Sequence, residues 1–315
     1  MSSLEPRGAD AKPEGILAWS TYVKRVLKEA RDTIPVHPGT MIAWDACHNK
    51  DYHIDSFLCV DDVSLTQWAA KQAAILDLTQ GRVIKYSKLN DKIRQRGLVP
   101  LLQAAYDLRG ISVTIAIERT AIDAWVKDAG ELIAPIIQKN FHHAWKHPSL
   151  WKATVVVDNV NLLLDSFYLN EGRKMVCFDN DDDIWGNENQ KKDFENMMRH
   201  WRSHTGSANR DVVNLTFDRF DPLGTSLTAI PDLIAGAVSS ILHGLQHPEQ
   251  MDGPMSVATL PGKARIIGDW IWSVPRSLHT IVIVVGRHEK GIQTYKLGNP
   301  FYPPEPSGPP SSVTD

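Results

Sequence analysis

The sequence predicts an α/β fold: a mixed β-sheet flanked by helices, with a β-hairpin appended near its end. Three observations carry this. Short β-branched or apolar runs (ISVTIAI at 111–117, ATVVV at 153–157, VVNLTF at 212–217) alternate with longer stretches of helical spacing. Residues 41–60 read as a hairpin, two apolar runs around a polar turn. A second hairpin is written in LHTIVIVVGR, Glu289-Lys290-Gly291 and IQTYKL.

In chain order, residues 1–13 lack an apolar signal core and are expected to be disordered. A helix over 14–32 follows from the spacing of Leu17, Val23, Val26, Leu27 and Ala30, and it ends before Pro35. The hairpin pairs a strand at 41–45 with one at 52–60, across a turn at Cys47–Asp51. Ser64, with Gln67 three residues on, predicts a capped helix over 64–78. A third helix spans 89–108, interrupted at Gly97 and Pro100, and the strand 111–117 ends in Glu118. Helices are expected over 121–146 and 193–204 and strands over 153–157 and 212–217, with a short apolar run at Val176-Cys177-Phe178. Pro231 opens a helix, PDLIAGAVSSILHGL, since a first-turn proline sacrifices no hydrogen bond. The main domain is expected over 14–250. A β appendage over 251–299 follows the Pro254, Pro261 and Gly262 breaks, and a proline-rich extended tail covers 300–315.

The 315 residues suffice for one large domain or two modest ones. A net charge of -3 argues against a surface that is basic all over, but it leaves room for a local basic groove. Three cysteines without a CxxC pair fit a reduced, cytoplasmic protein. No apolar run reads as long enough to span a membrane, so no membrane association is expected.

The chemistry-bearing pattern is a set of four acids. Asp45, Glu118 and Asp158 each follow an apolar β run, and Asp232 lies in the first turn expected for an apolar helix. In open α/β sheets, ligands bind beyond the carboxyl ends of strands. A helix N-terminus favours a carboxylate, so Asp232 alone reads as a dipole-stabilised residue. Converging carboxylates repel one another, and their natural occupant is a hard cation such as Mg²⁺ or Mn²⁺. Such ions can clamp the attacking and leaving oxygens of a phosphodiester displacement. Lys85, Lys88 and Lys92, with Arg94 and Arg96, form a basic segment that could hold a phosphate backbone. An exposed helix face is the alternative reading for that segment.

Other clusters read as structural. Asp179, Asp181 and Asp183 have calcium-loop spacing, but Ile184 and Gln190 stand where glycine and glutamate are required, so a solvated acidic loop is expected. His200 and His204 are four apart without an HExxH, which reads as a polar helix face; His142, His143 and His147 read likewise. Cys47 reads as a small core residue whose thiol Asp45 would push up in pKa. Trp270 and Trp272 alternate as on a strand and read as core or partner interface.

In their order along the chain, these features resemble the RNase H-like family called "domain of unknown function 3800". Asp45 matches the Asp of that family's opening strand and Ser87-Lys88-Leu89 its second motif. Glu118 and Asp158 stand at the following strand ends, and Asp232-Leu233-Ile234-Ala235-Gly236-Ala237 matches its helix motif. The resemblance covers roughly residues 40–245 and implies an RNase H-like sheet and metal-dependent nuclease chemistry on DNA or RNA. It points to metal at Asp45, Asp158 and Asp232 and to a ligand or water-orienting role for Glu118, while nucleic-acid contact by Lys85, Lys88 and Lys92 rests on the basic segment itself. The chain departs from the pattern at Ala46-Cys47, where the family has Glu-Ser, near Lys85, where an acid or histidine is usual, and at Pro231, where alanine is usual. These departures imply the alternative: a catalytically degenerate subunit that binds nucleic acid or assembles with a protein partner, or with its own copy, through the C-terminal hairpin.

Overall fold

A computed structural model describes residues 23–28, 41–123, 152–157, 159–160, 162–163, 174–179, 187–204, 213–216, 222–244, 262–272, 278–288 and 291–297. The fold is mixed α/β, a mixed sheet flanked by helices. Strands β1 (Met41–His48), β2 (Tyr52–Val60), β3 (Gly110–Glu118), β4 (Lys174–Phe178), β5 (Val213–Thr216), β6 (Leu278–His288) and β7 (Gly291–Leu297) form one sheet in the order β5-β4-β1-β2-β3-β6-β7. β2 is antiparallel to β1 and β3, while β4 and β6 add in parallel to β1 and β3. Helices α1 (Asp62–Leu78), α2 (Lys92–Tyr106), α3 (Glu188–His204), α4 (Pro222–Gly244) and α5 (Gly262–Trp272) complete the labelled elements.

β1 and β2 are buried along most of their length, so the sheet is covered on both faces. One face carries Met41, Ala43, Ile54, Leu58 and Val60, which share a core with Leu227, Ile230, Leu233, Ile234 and Val238 of α4. On the other face Trp44 meets Phe178 edge-on at 5.5 Å, and Phe178 meets Phe194 of α3 at 5.2 Å. Asp61 caps α1 by accepting from Ser64 N–H at 2.8 Å, and Asp91 caps α2 by accepting from Ile93 N–H at 2.9 Å.

Several expectations are corrected. β1 runs on through Asp45 to His48, which pairs with His53, so the hairpin turn is only 49–51 and Asp45 is mid-strand. Residues 152–157 are helical, not a strand. Ala153, Val155, Val156 and Val157 are all buried, so this is a helix packed on all sides, and such a run cannot be told from a buried strand by periodicity. β6 is hydrogen-bonded to β3 from Leu278 to Val285, so the LHTIVIVV segment belongs to the main sheet and not to an appendage. Trp270 lies on α5 and donates to Leu102 C=O at 3.0 Å, so it is a core residue on a helix. α4 begins at Pro222, which places Pro231 inside it and Asp232 in mid-helix. By length and composition Leu227–Gly244 would cross a bilayer, contrary to the sequence reading; 78% of that span is buried inside the protein, as the helix covering β1 and β2. Expectations for residues 1–13, 124–146 and 300–315 lie outside the described residues, as do Asp181, Asp183, His142, His143 and His147 and the side chains of His200 and His204.

Candidate functional site

The site forms where β1, the exit of β4, the segment before α2 and α4 meet. Asp45 points from β1 toward α4 and is buried, 7% exposed. Its Oδ1 accepts from Ala46 N–H at 2.7 Å, while its Oδ2 is buried with no hydrogen-bond partner. Asp179 follows β4 directly, and its N–H donates to Trp44 C=O at 3.0 Å, carrying the β1–β4 ladder one residue further. Asp232 is held on α4 by Tyr86 N–H, which donates to its Oδ2 at 2.5 Å.

Lys85 sits among these acids. Its ammonium donates to Asp179 Oδ2 and lies 3.9 Å from Asp45 Oδ2. A second cation, Lys263 of α5, donates to Tyr86 C=O at 2.5 Å and lies 4.3 Å from the centre of the Tyr86 ring. Tyr86 is seated by the helix motif: its ring packs over Gly236, one turn beyond Asp232, and its hydroxyl is 2.6 Å from Ser240 Oγ. The two most specific stretches of the sequence, Tyr86-Ser87-Lys88-Leu89 and Asp232–Ala237, thus meet directly.

The electrostatics follow from burial and charge. The Asp45 carboxyl is raised well above the usual range, first by burial and then by Asp232 and Asp179, against the opposing pull of Lys85 and the Ala46 N–H. Asp232 is raised to about 6, chiefly by burial, with the Tyr86 N–H and Lys85 opposing. The mutual repulsion that sequence order suggested is present, but desolvation is the larger cause. Burial lowers the Lys85 ammonium, but Asp45 and Asp179 outweigh it and leave the group raised and protonated. The Cys47 thiol is pushed up, by burial before the neighbouring acids, so it makes a poor nucleophile.

The predicted residues fare unevenly. Asp45 and Asp232 come together. Glu118 does not: Asp45 pairs across Ser56 to Thr114, and Glu118 lies four residues further along β3, beside the hairpin turn. That is about 13 Å along the strands and two strands across, too far to share an ion. Asp158 lies outside the described residues. The strand that was to end in it is a helical segment, whose Asn159 bonds Asp55 on the opposite face of the sheet from Asp45. Asp179, read from sequence as part of a solvated loop, takes the third place. The signal was available, because Val176-Cys177-Phe178 is an apolar run closed by an acid, like the runs at 41–44 and 111–117. Lys85 is engaged by the acids, while Lys88 and Lys92 are exposed. Arg94 is tied to Asp91 at 2.6 Å.

The donor set is all oxygen, which suits a hard divalent cation, and the orphaned Asp45 Oδ2 gives such an ion a buried ligand. Among the described residues no three acid, histidine or cysteine side chains already stand as a ligand set; the Lys85 ammonium holds that ground instead. The residues therefore fit the ion by type and charge, on condition that Lys85 withdraws. No family model, no curated protein and no solved structure matches this chain.

Proposed function

We propose that the chain is an RNase H-like, metal-dependent phosphodiester hydrolase acting on DNA or RNA, with Asp45, Asp179 and Asp232 as the shell for Mg²⁺ or Mn²⁺. The observation that carries this reading is a buried oxygen, Asp45 Oδ2, that has no hydrogen-bond partner and whose carboxyl feels the charges of Asp179 and Asp232. The strand order, with β4 and β5 added in parallel beside β1, supports the RNase H-like assignment. A divalent cation there would supply an activated water and offset charge on the reacting phosphate. The chain's own residues do the rest. Burial and neighbouring acids hold Asp45 and Asp232 above the usual carboxylate range, and a cation among them would offset that repulsion. Lys85 stabilises the empty cluster and swings toward the solvent side when it is released. Lys88 and Lys92, exposed on the same segment, hold the phosphate backbone as it approaches.

A second reading rests on one specific observation, the Lys85–Asp179 ion pair, together with Ala46 in place of the acid that the resemblance calls for. In that reading Lys85 replaces the metal for good, and the protein binds nucleic acid or a protein partner without cutting. Incubation with single- and double-stranded DNA and RNA, with and without Mn²⁺ or Mg²⁺, separates the two. Cation-dependent cleavage that Asp45→Asn and Asp179→Asn abolish supports the hydrolase. Binding without cleavage under every condition supports the degenerate subunit.

A further inference from the structure

A second polar cluster lies on the opposite face of β1 and β2. Asp55 is fully buried there, and three donors hold it. Trp44 Nε1 donates to its Oδ1 at 3.1 Å, Asn159 Nδ2 donates to its Oδ2 at 2.7 Å, and His53 Nε2 reaches the same Oδ2 at 3.0 Å. Trp44 Nε1 and the Asn159 amide can only donate to it, so both Asp55 oxygens stand as acceptors. The Nε2 of His53 therefore carries the proton, and in the neutral ring Nδ1 keeps a lone pair.

That nitrogen lies beside a second imidazole. His53 Nδ1 lies 3.0 Å from His48 Nδ1, and the two rings are stacked 16° from parallel. Two ring nitrogens this close need something positive between them. A shared proton is one answer. The other is a metal ion, because nitrogens each bound at 2.0–2.1 Å stand about 2.9 Å apart at a right angle and about 3.4 Å apart in a tetrahedron. His48 is at the exposed end of β1, within reach of solvent. The carboxylate on the far nitrogen of His53 is the arrangement that orients a ligating histidine and raises its basicity.

We infer that His48 and His53 form a binding site for a divalent transition ion of the zinc–nickel–copper class, with Asp55 as the positioning carboxylate and solvent completing the shell. Imidazole nitrogens select such ions, whereas the all-oxygen cluster around Asp45 selects Mg²⁺ or Mn²⁺. The two clusters lie on opposite faces of the sheet, so this inference does not depend on the hydrolase reading.

The test uses Zn²⁺ and Ni²⁺ as probes on the full chain. Histidine ring ¹⁵N spectra recorded during Zn²⁺ titration should move the Nδ1 resonances of His48 and His53 saturably, with Mg²⁺ moving neither. In an Asp45→Asn background, where the carboxylate cluster no longer takes up an ion, His48→Gln, at an exposed position, should weaken Ni²⁺ binding by calorimetry about tenfold or more. Neither ring responding to Zn²⁺ would show the 3.0 Å contact to be a shared proton and overturn the inference. Ni²⁺ binding that survives His48→Gln in that background, or that Asp45→Asn alone abolishes, would overturn it too.

Discussion

Gly236 lies directly beneath the ring of Tyr86: a Cβ at position 236 would stand 2.2 Å from Tyr86 Cγ. The absent side chain lets Tyr86 lie against α4, which in turn brings the Tyr86 N–H onto Asp232. Gly236→Ala should therefore act as an overpacking substitution, costing about 1–3 kcal/mol and loosening the Tyr86–Asp232 contact. Urea unfolding measures the first effect. An unchanged midpoint would mean that Tyr86 has room to move and does not position Asp232.

Asp45 and Asp55 are both buried aspartates of one hairpin, and they should respond in opposite ways. Asp55 satisfies three donors, so Asp55→Ala strands Trp44 Nε1, His53 and Asn159 and should cost about 3–5 kcal/mol. Asp45 has an oxygen without a hydrogen bond, and burial with two repelling neighbours outweighs the Lys85 ammonium 3.9 Å away, so Asp45→Asn should be neutral or stabilising at pH 7. Comparable losses in the two variants would contradict this account of the cluster.

Stability should fall as pH rises across the slightly acidic range. Asp232 titrates at about 6 in the folded chain, raised by burial, against ~3.9 for an unfolded aspartate. The folded chain thus holds this proton more tightly. The contribution is fully present below ~4 and is lost as pH climbs through about 6. Its ceiling is ~3 kcal/mol, shared with Asp45, which shifts in the same direction. Unfolding midpoints should be higher at pH 5 than at pH 7.5, and Asp232→Asn, which can still accept from Tyr86 N–H, should flatten the difference. A midpoint that rises between those values would reverse the sign and refute the assignment.

Much of this was legible in the chain, and the failures have physical causes. The 41–60 hairpin and the strand at 111–117 were readable because their apolar runs end in turn or polar residues. ATVVV was misread because a fully buried helix and a buried strand have the same composition. Asp232 was found through its motif but placed at a helix start, because Pro231 suits a first turn better than the interior where it stands. Asp179 was hidden by Asp181 and Asp183, which made a strand-end acid look like one of a solvated series. Lys85 looked like part of a basic strip; only the fold brings it among residues 45, 179 and 232.

Because Lys85 holds the ground between the acids, its removal should favour a divalent ion. Lys85→Met should bind Mn²⁺ about tenfold or more tightly than wild type, a gain of ~1.4 kcal/mol or above, since a unit charge 3.9 Å from Asp45 Oδ2 no longer competes. It should also make the thermal midpoint depend on Mn²⁺. Weaker Mn²⁺ binding in this variant would mean that Lys85 supports an ion site and does not compete for it.

The central claim, that Asp45, Asp179 and Asp232 share one cation while Glu118 does not, is tested most directly by calorimetric titration of Mn²⁺ into wild type, Asp45→Asn, Asp179→Asn and Glu118→Gln. The account predicts one site in wild type, unaltered in Glu118→Gln and lost in both aspartate variants. Binding that persists in Asp45→Asn and Asp179→Asn, or that disappears in Glu118→Gln, would contradict it.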